Sequence, residues 1–327
     1  MNALARGRGL QGAGWIFAAA AALFILIIAW LVRDLVRDRG AHAIGDGRDP
    51  ATYGFDLSQC LVPREEIVAS GMPRDGLPSM DLPAVIDGGD VDPIRRERHA
   101  SYLVTGDRVI GVVGGGRARA YPLRVLNWHE VANDTLGGIP IAVTYSPLCD
   151  AVVVFDRRVR GRTLRFGLSG LLYNSNTLLY DDEEGPAGAR SVGASLWSQL
   201  QFRAVAGPAC AAGESLTVVP SFLVTWGDWR RAYPETTVLA PENTVMFERY
   251  KTDVYGSYFG SGRLRFPVRP LPPEGSASYR SRIMVKGNPP ACRAIAVDDL
   301  PAVDPSTAYS FWFAWYAMHP GATRASR

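Results

Sequence analysis

The chain reads as an α+β protein, predominantly antiparallel β with a few short helices, carried on an N-terminal transmembrane helix. Three observations predict this. Runs rich in Val, Ile and Tyr are separated by glycine-bearing turns, as in RVIGVVGGGRARAYPL (108–123), which is the chemistry of hairpins. From Ile139 onward the segments IPIAVTY, AVVVFDRRV, RTLRFGLSG and TLLYDD follow one another as a strand meander. Residues 15–32, WIFAAAAALFILIIAWLV, hold no charge, and at a helical rise they reach roughly 27 Å, close to the ~30 Å hydrocarbon core of a bilayer.

Residues 1–14 form a short tail ahead of the 15–32 anchor. Trp15 and Trp30 stand near the ends of the anchor, where indoles favour the membrane interface. The A-x-A-like site Ala41-His42-Ala43 lies beyond a charged stretch, so the apolar run reads as an uncleaved span. Two arginines precede the run and three follow it, a balance that sets no direction by itself. Residues 33–51, rich in Gly, Asp and Arg, read as a solvated linker.

The main domain spans 52–270. A short helix is expected from Pro63 to Ala69, with proline at a favourable first position. Consecutive hairpins follow over 101–123, turning at Gly106-Asp107 and Gly114-Gly115-Gly116. LRVLNWHEVANDTLGG (123–138) then reads as a helix stopped by Gly137-Gly138. After the meander come a strand near SLWSQLQFRAVAG and a helix from Phe222 to Tyr233.

Residues 271–327 read as a degenerate partial repeat packed on the main domain. Trp226, Trp229, Pro234 and Thr237 have the spacing of Trp312, Trp315, Pro320 and Thr323, an offset of 86 residues. RVIGVVGGGRARAYPLRVL (108–126) aligns without gaps on RIMVKGNPPACRAIAVDDL (282–300), an offset of 174. The second copy would lack the segment that holds His129 and Cys149.

Composition narrows the function classes. Of the formal charge of +3, all arises in residues 1–40, from Arg6, Arg8, Arg33, Arg37 and Arg39 against Asp34 and Asp38. The remainder is balanced, so no nucleic-acid partner is implied. The four cysteines, Cys60, Cys149, Cys210 and Cys292, form no C-x-x-C.

Familiar catalytic signatures fail on their spacing. His129-Glu130 opens an H-E-x-x-H pattern, but Asn133 stands where the second histidine is needed. The Gly114 triplet returns into a strand rather than opening a phosphate-binding helix. Gly167-Leu168-Ser169-Gly170-Leu171 lacks the last glycine of a nucleophile elbow.

What remains is Cys149, in Ser146-Pro147-Leu148-Cys149 between two strand-like runs, with His129 beside Trp128 and Cys60 upstream. Thiolate and imidazole together suit copper or zinc, which makes His129, Cys149 and Cys60 a candidate ligand set. Cys149 and His129 equally suit a nucleophile and its base. A third reading is a non-catalytic pocket for a ligand or partner, drawn from Trp128, Glu130, Ser146, Tyr173, Asn174 and Trp197. The bland alternatives stand beside these: free cysteine commonly packs in cores, and Tyr173-Asn174-Ser175-Asn176 has turn chemistry.

FDLSQCLVPREEIVASGMPRDGLPSMDLPA, GRARAYPLRVLNWHEVANDTLGGIPIAVTYSPLCDAVVVFDR, FGLSGLLYNSNTLLYD, SLWSQL and TWGDWRRAYPETTVL together resemble the bacterial domain-of-unknown-function family DUF3179, from about Phe55 to the C-terminus. The resemblance supplies no activity. It implies a single-pass protein of the bacterial inner membrane, anchored in lipid through residues 15–32, with its bulk domain outside the cytoplasm. Sequences of this kind carry C-P-L-C where this chain has Ser146-Pro147-Leu148-Cys149. Cys149 matches the second cysteine and Ser146 replaces the first, so these two positions alone do not form a dithiol. A reduced His/Cys/Cys site and a copy that keeps the fold without the chemistry are both compatible with that replacement.

Overall fold

Tight two-residue turns with backbone at positive φ set several of the strand registers. Gly115-Gly116 (φ 55° and 74°), Gly137-Gly138 (φ 56° and 81°) and Asn174-Ser175 (φ 51° and 61°) each close a hairpin. Two-residue hairpin loops of this hand need positive φ at both positions, which glycine adopts freely and asparagine tolerates. The first two turns also pack on one another: a Cβ on Gly137 would collide with the backbone of Gly114 and Gly115.

The computed structural model describes residues 44–92, 101–182, 194–274, 278–287, 291–297 and 304–325. The expected tail and anchor, and the linker up to residue 43, lie outside them. Contacts divide the chain into Met1–Ala43 and Ile44–Arg327, and the described residues all belong to the second unit. Among the described residues no helix is long and apolar enough to cross a membrane.

This unit is built from mostly antiparallel sheets with few short helices. The first sheet orders β1 (Ile67–Ala69), β11 (Arg165–Tyr173), β12 (Asn176–Asp182), β13 (Leu196–Ser198) and β14 (Arg203–Ala206). The second orders β15 (Ser221–Thr225), β4 (Arg108–Gly114), β5 (Arg117–Pro122), β16 (Thr237–Leu239) and β3 (Val85–Asp87). The third begins with β2 (Met80–Asp81), β6 (Val131–Leu136), β7 (Ile139–Ser146) and β8 (Ala151–Asp156). It continues through β19 (Ala308–Phe311), β17 (Arg282–Lys286), β18 (Arg293–Val297) and β20 (Arg324–Ala325). A small ribbon pairs β9 (Arg158–Val159) with β10 (Arg162–Thr163). Among the described residues the α-helices include α1 (Leu123–Leu126), α2 (Pro208–Ala211), α3 (Trp226–Ala232), α4 (Thr244–Tyr250), α5 (Gly256–Ser261) and α6 (Trp312–Met318).

The third sheet contributes to both cores. Along β8, Ala151, Val153 and Phe155 join one cluster, with Phe166 and Trp197 of the first sheet. Val152 and Val154 join the other, with Val109, Val224 and Trp229 of the second sheet and its helix. Successive side chains of a strand point to opposite faces. A strand covered on both sides therefore reads as an unbroken apolar run, which is why AVVVF shows no alternation.

Several expected elements differ. The helix expected over 123–138 is only α1; the chain then turns, and Val131–Leu136 becomes β6, paired with β7 along its length. Glu130 ends the helical stretch with φ 52°, and the β-branched residues and cross-strand contacts beyond it favour a strand. Pro63–Ala69 is a 3-10 turn over Arg64–Glu66 followed by β1. SLWSQLQFRAVAG holds two strands, and Phe222–Tyr233 splits into β15 and α3, capped by Thr225 accepting from Asp228 N–H at 3.1 Å.

Residues 271–327 do not form a separate layer; β19 pairs with β8 and extends the third sheet. The order β15-β4-β5-β16 recurs as β19-β17-β18-β20, with the same antiparallel, antiparallel, parallel sequence of pairings. The registers recur as well. Thr225 faces Arg108 as Phe311 faces Arg282, Ile110 faces Tyr121 as Met284 faces Ile295, and Val238 faces Ala120 as Arg324 faces Ala294.

Candidate functional site

The turn between β7 and β8 places Cys149. Ser146 pairs with Ala151, Pro147–Cys149 forms a 3-10 turn, and Asp150 takes a left-handed φ of 45° to re-enter the sheet. Asp150 is held from three sides. Arg108 donates to both carboxylate oxygens at 2.8 and 2.9 Å, Arg282 Nε at 2.6 Å, and Tyr145 Oη at 2.9 Å. Burial by itself would raise this carboxyl, but the two guanidinium groups outweigh it and hold it at about 2. The fixed turn leaves the Cys149 thiol fully buried, directed at the Asn174 carbonyl at 3.9 Å. Burial pushes the thiol well above its ordinary range; hydrogen bonding from Asn176 and Ser146 opposes this only in part. That is the reverse of what an activated nucleophile needs.

Glu130 stands on the neighbouring turn. Its backbone is pinned by Glu130 N–H to Leu126 O and Tyr145 N–H to Glu130 O, both at 2.8 Å. Its side chain lines a cavity of about 220 Å³ whose wall is mainly apolar, including Leu77, Leu148 and Phe266, with Thr177, Tyr255 and Arg265 as polar members. Thr177 Oγ1 donates to Glu130 Oε2 at 2.7 Å, and Ser146 Oγ lies 3.3 Å from Thr177 Oγ1. Burial raises the Glu130 carboxyl to about 7, with the Thr177 hydrogen bond opposing. Tyr255 is shifted upward by burial first and then by the charge of Glu130, while Arg265 opposes. The wall is shaped by an irregularity in β11, where the register on β12 shifts between Leu168 and Leu172 and Gly170 takes φ 79°. Such bulges re-aim side chains beside binding sites.

The expected ligand residues stand in different settings. His129 Nδ1 is 2.8 Å from the Pro78 carbonyl and Nε2 is 2.8 Å from Tyr250 Oη. A carbonyl accepts only, so the Nδ1–H donates to it and Nε2 accepts from the tyrosine in the neutral ring. Burial lowers the His129 pKa, with the Pro78 hydrogen bond opposing. Both nitrogens are thus committed away from Cys149. Cys60 faces Ala206 at the edge of the first sheet, its thiol directed to Leu57 O at 3.3 Å. Among the described residues no group of three or more His, Cys, Asp or Glu side chains is arranged to hold a metal ion.

Of the expected pocket residues, Glu130 lines the cavity and Ser146 is joined to it through Thr177. Tyr173 ends β11, and Asn174 accepts from Arg269 N–H at 2.7 Å in the turn behind Cys149. Trp197 is core, edge-to-face with Phe166 at 5.8 Å, and Trp128 lies under the Arg249 guanidinium, 5.7 Å from its ring. Thr177, Tyr255 and Arg265 escaped the sequence reading. The density of Tyr, Phe and Arg in the loop-rich stretch 255–266 was the available signal.

The profile of a family described as "Protein of unknown function (DUF3179)" matches residues 74–306, which include Glu130, Cys149, Asp150 and Thr177. The chain belongs to the DUF3179 family. No curated protein and no solved structure matches it. The DUF3179 match covers the cavity wall except Ser70, Met72 and Pro73, and it leaves Cys60 outside.

Proposed function

We propose that this DUF3179 protein is a membrane-tethered binding module that holds a small, largely apolar ligand in the Glu130 cavity, with Glu130 exchanging a proton with the ligand's polar group. The observation that carries the reading is a carboxyl poised near neutrality inside a mainly apolar hollow, hydrogen-bonded by Thr177 and flanked by Tyr255 and Arg265. Convergent polar groups in an apolar pocket are the usual form of a small-molecule site. The uncharged run 15–32 supports a membrane tether, and the bacterial inner membrane with the domain outside the cytoplasm is what the family resemblance implies. Copper or zinc handling through His129, Cys149 and Cys60 has no comparable support, because the imidazole nitrogens are engaged elsewhere.

The test is a fragment screen by thermal shift on the full chain in detergent, using small aliphatic alcohols, amides and carboxylic acids. Binders are expected whose affinity changes through pH 7 in the parent and is pH-independent in Glu130→Gln. Leu148→Trp, which fills the hollow from a wall position, should abolish binding with the fold intact. Binding that survives Leu148→Trp overturns the reading.

A further inference from the structure

The four cysteines differ in what surrounds them. Cys149 is sealed in the core and Cys292 lies by the Gly287 carbonyl, whereas Cys60 is bridged to the end of β14 and Cys210 stands in α2, the helix that follows β14 at the edge of the first sheet. Cys60 forms an antiparallel bridge with Ala206, and Leu61 N–H donates to Val205 O at 2.9 Å. A hydrogen bond between the flanking residues makes Cys60 and Ala206 a non-hydrogen-bonded pair, the kind whose side chains approach most closely. The chain then turns at Gly207 (φ 79°) into α2, whose third residue is Cys210. Cys210 belongs to the core cluster against which Cys60 packs. After burial, the Cys210 thiol is the largest influence raising the pKa of Cys60. Cys60 keeps partial exposure, so a reagent in solution reaches one member of the pair.

We propose that Cys60 and Cys210 are a disulfide-forming pair, closed by a small disulfide oxidant, that fastens the amino-terminal segment of the described unit to β14 and α2. The Cys60 thiolate attacks one sulfur of the oxidant and expels the first small thiol. Cys210, as thiolate, then attacks Cys60 in the mixed disulfide and expels the second. One S–S bond is broken and one formed, two electrons pass to the oxidant, and the two protons leave with the two released thiols. The pairing stands independently of the cavity.

The experiment treats the full chain in detergent with oxidised glutathione, quenches with acid, alkylates after denaturation and maps the peptides by mass spectrometry. A Cys60–Cys210 linked peptide in most of the chain is expected, with Cys149 alkylated and the link lost on adding a reductant. Cys60→Ser should leave Cys210 unlinked, and Cys210→Ser should leave a glutathione adduct on Cys60. Absence of the linked peptide from the folded parent overturns the proposal, as does its formation only after denaturation or a link from Cys60 to another cysteine.

Discussion

At Glu130 a part-buried acid is coupled to stability with a definite sign. Its folded pKa, about 7, lies above the ordinary 4.5. A raised pKa means that the folded state binds the proton more tightly, so this contribution is complete below pH 4.5 and is lost as pH rises through 7. The full span is on the order of 3 kcal/mol. Glu130→Gln should flatten that part of the stability–pH curve, as read by chemical denaturation from pH 4 to 8; an unchanged slope would mean the carboxyl titrates normally. Cys149 yields a second expectation. Burial raises its pKa and hides its sulfur, so a small disulfide reagent at pH 8 should label it at least tenfold more slowly than a free model thiol, for which about a quarter is thiolate at that pH. Labelling as fast as the model would restore the nucleophile. Ser146 stood out in the sequence because a polar turn between apolar runs is a local signal, whereas Glu130 drew notice only beside His129, in a stretch read as helix. Thr177 and Arg265 drew none, because their roles depend on partners 47 and 135 residues away, at Glu130.

Among the elements, the β4–β5 hairpin was the most legible because the glycine run 114–116 announces it locally, whereas Gly106-Asp107 closes no hairpin among the described residues and Gly137-Gly138, read as a helix stop, closes one. The stretch 123–138 misled because helix and strand compete there, and the outcome rests on the long pairing of β6 with β7, which a window of sequence does not contain. The turn glycines separate two physical costs. Gly138 (φ 81°) has open space where a Cβ would sit, whereas Gly137 (φ 56°) meets the backbone of Gly114 and Gly115. Gly138→Ala should therefore cost only the left-handed strain, about 1 kcal/mol. Gly137→Ala carries the strain and the collision, and about 3 kcal/mol or more is expected. Urea denaturation of the two variants side by side decides this; equal losses would mean that the two hairpin turns do not pack as described.

Across the whole molecule, the offsets of 86 and 174 residues that relate the tryptophan and hairpin segments also relate the strand ladders, as two copies of one unit would. Sequence carries the same offsets most plainly in the tryptophan spacing, where other positions have drifted. It could not show that corresponding residues of the two units, Arg108 and Arg282, converge on one carboxylate, Asp150, which lies in the segment inserted into the first unit. Asp150 is 1% exposed, against 22% for the Arg108 side chain and 43% for Arg282. The more exposed partner is screened more strongly, so Arg282→Ala should cost less than about 1 kcal/mol. Asp150→Asn keeps a residue that tolerates φ 45° but leaves Arg108 without its counter-charge, for an expected loss of roughly 3–5 kcal/mol. The pH dependence distinguishes charge from packing. Asp150 is depressed to about 2 from 3.8, so its contribution is complete above pH 3.8 and is lost as pH falls through 2. The stability gap between parent and Asp150→Asn should thus be constant from pH 7 to 4 and narrow by about 2 kcal/mol between pH 4 and 2. A gap of the same size at pH 2 as at pH 7 would assign Asp150 to packing and remove the electrostatic link between the two copies.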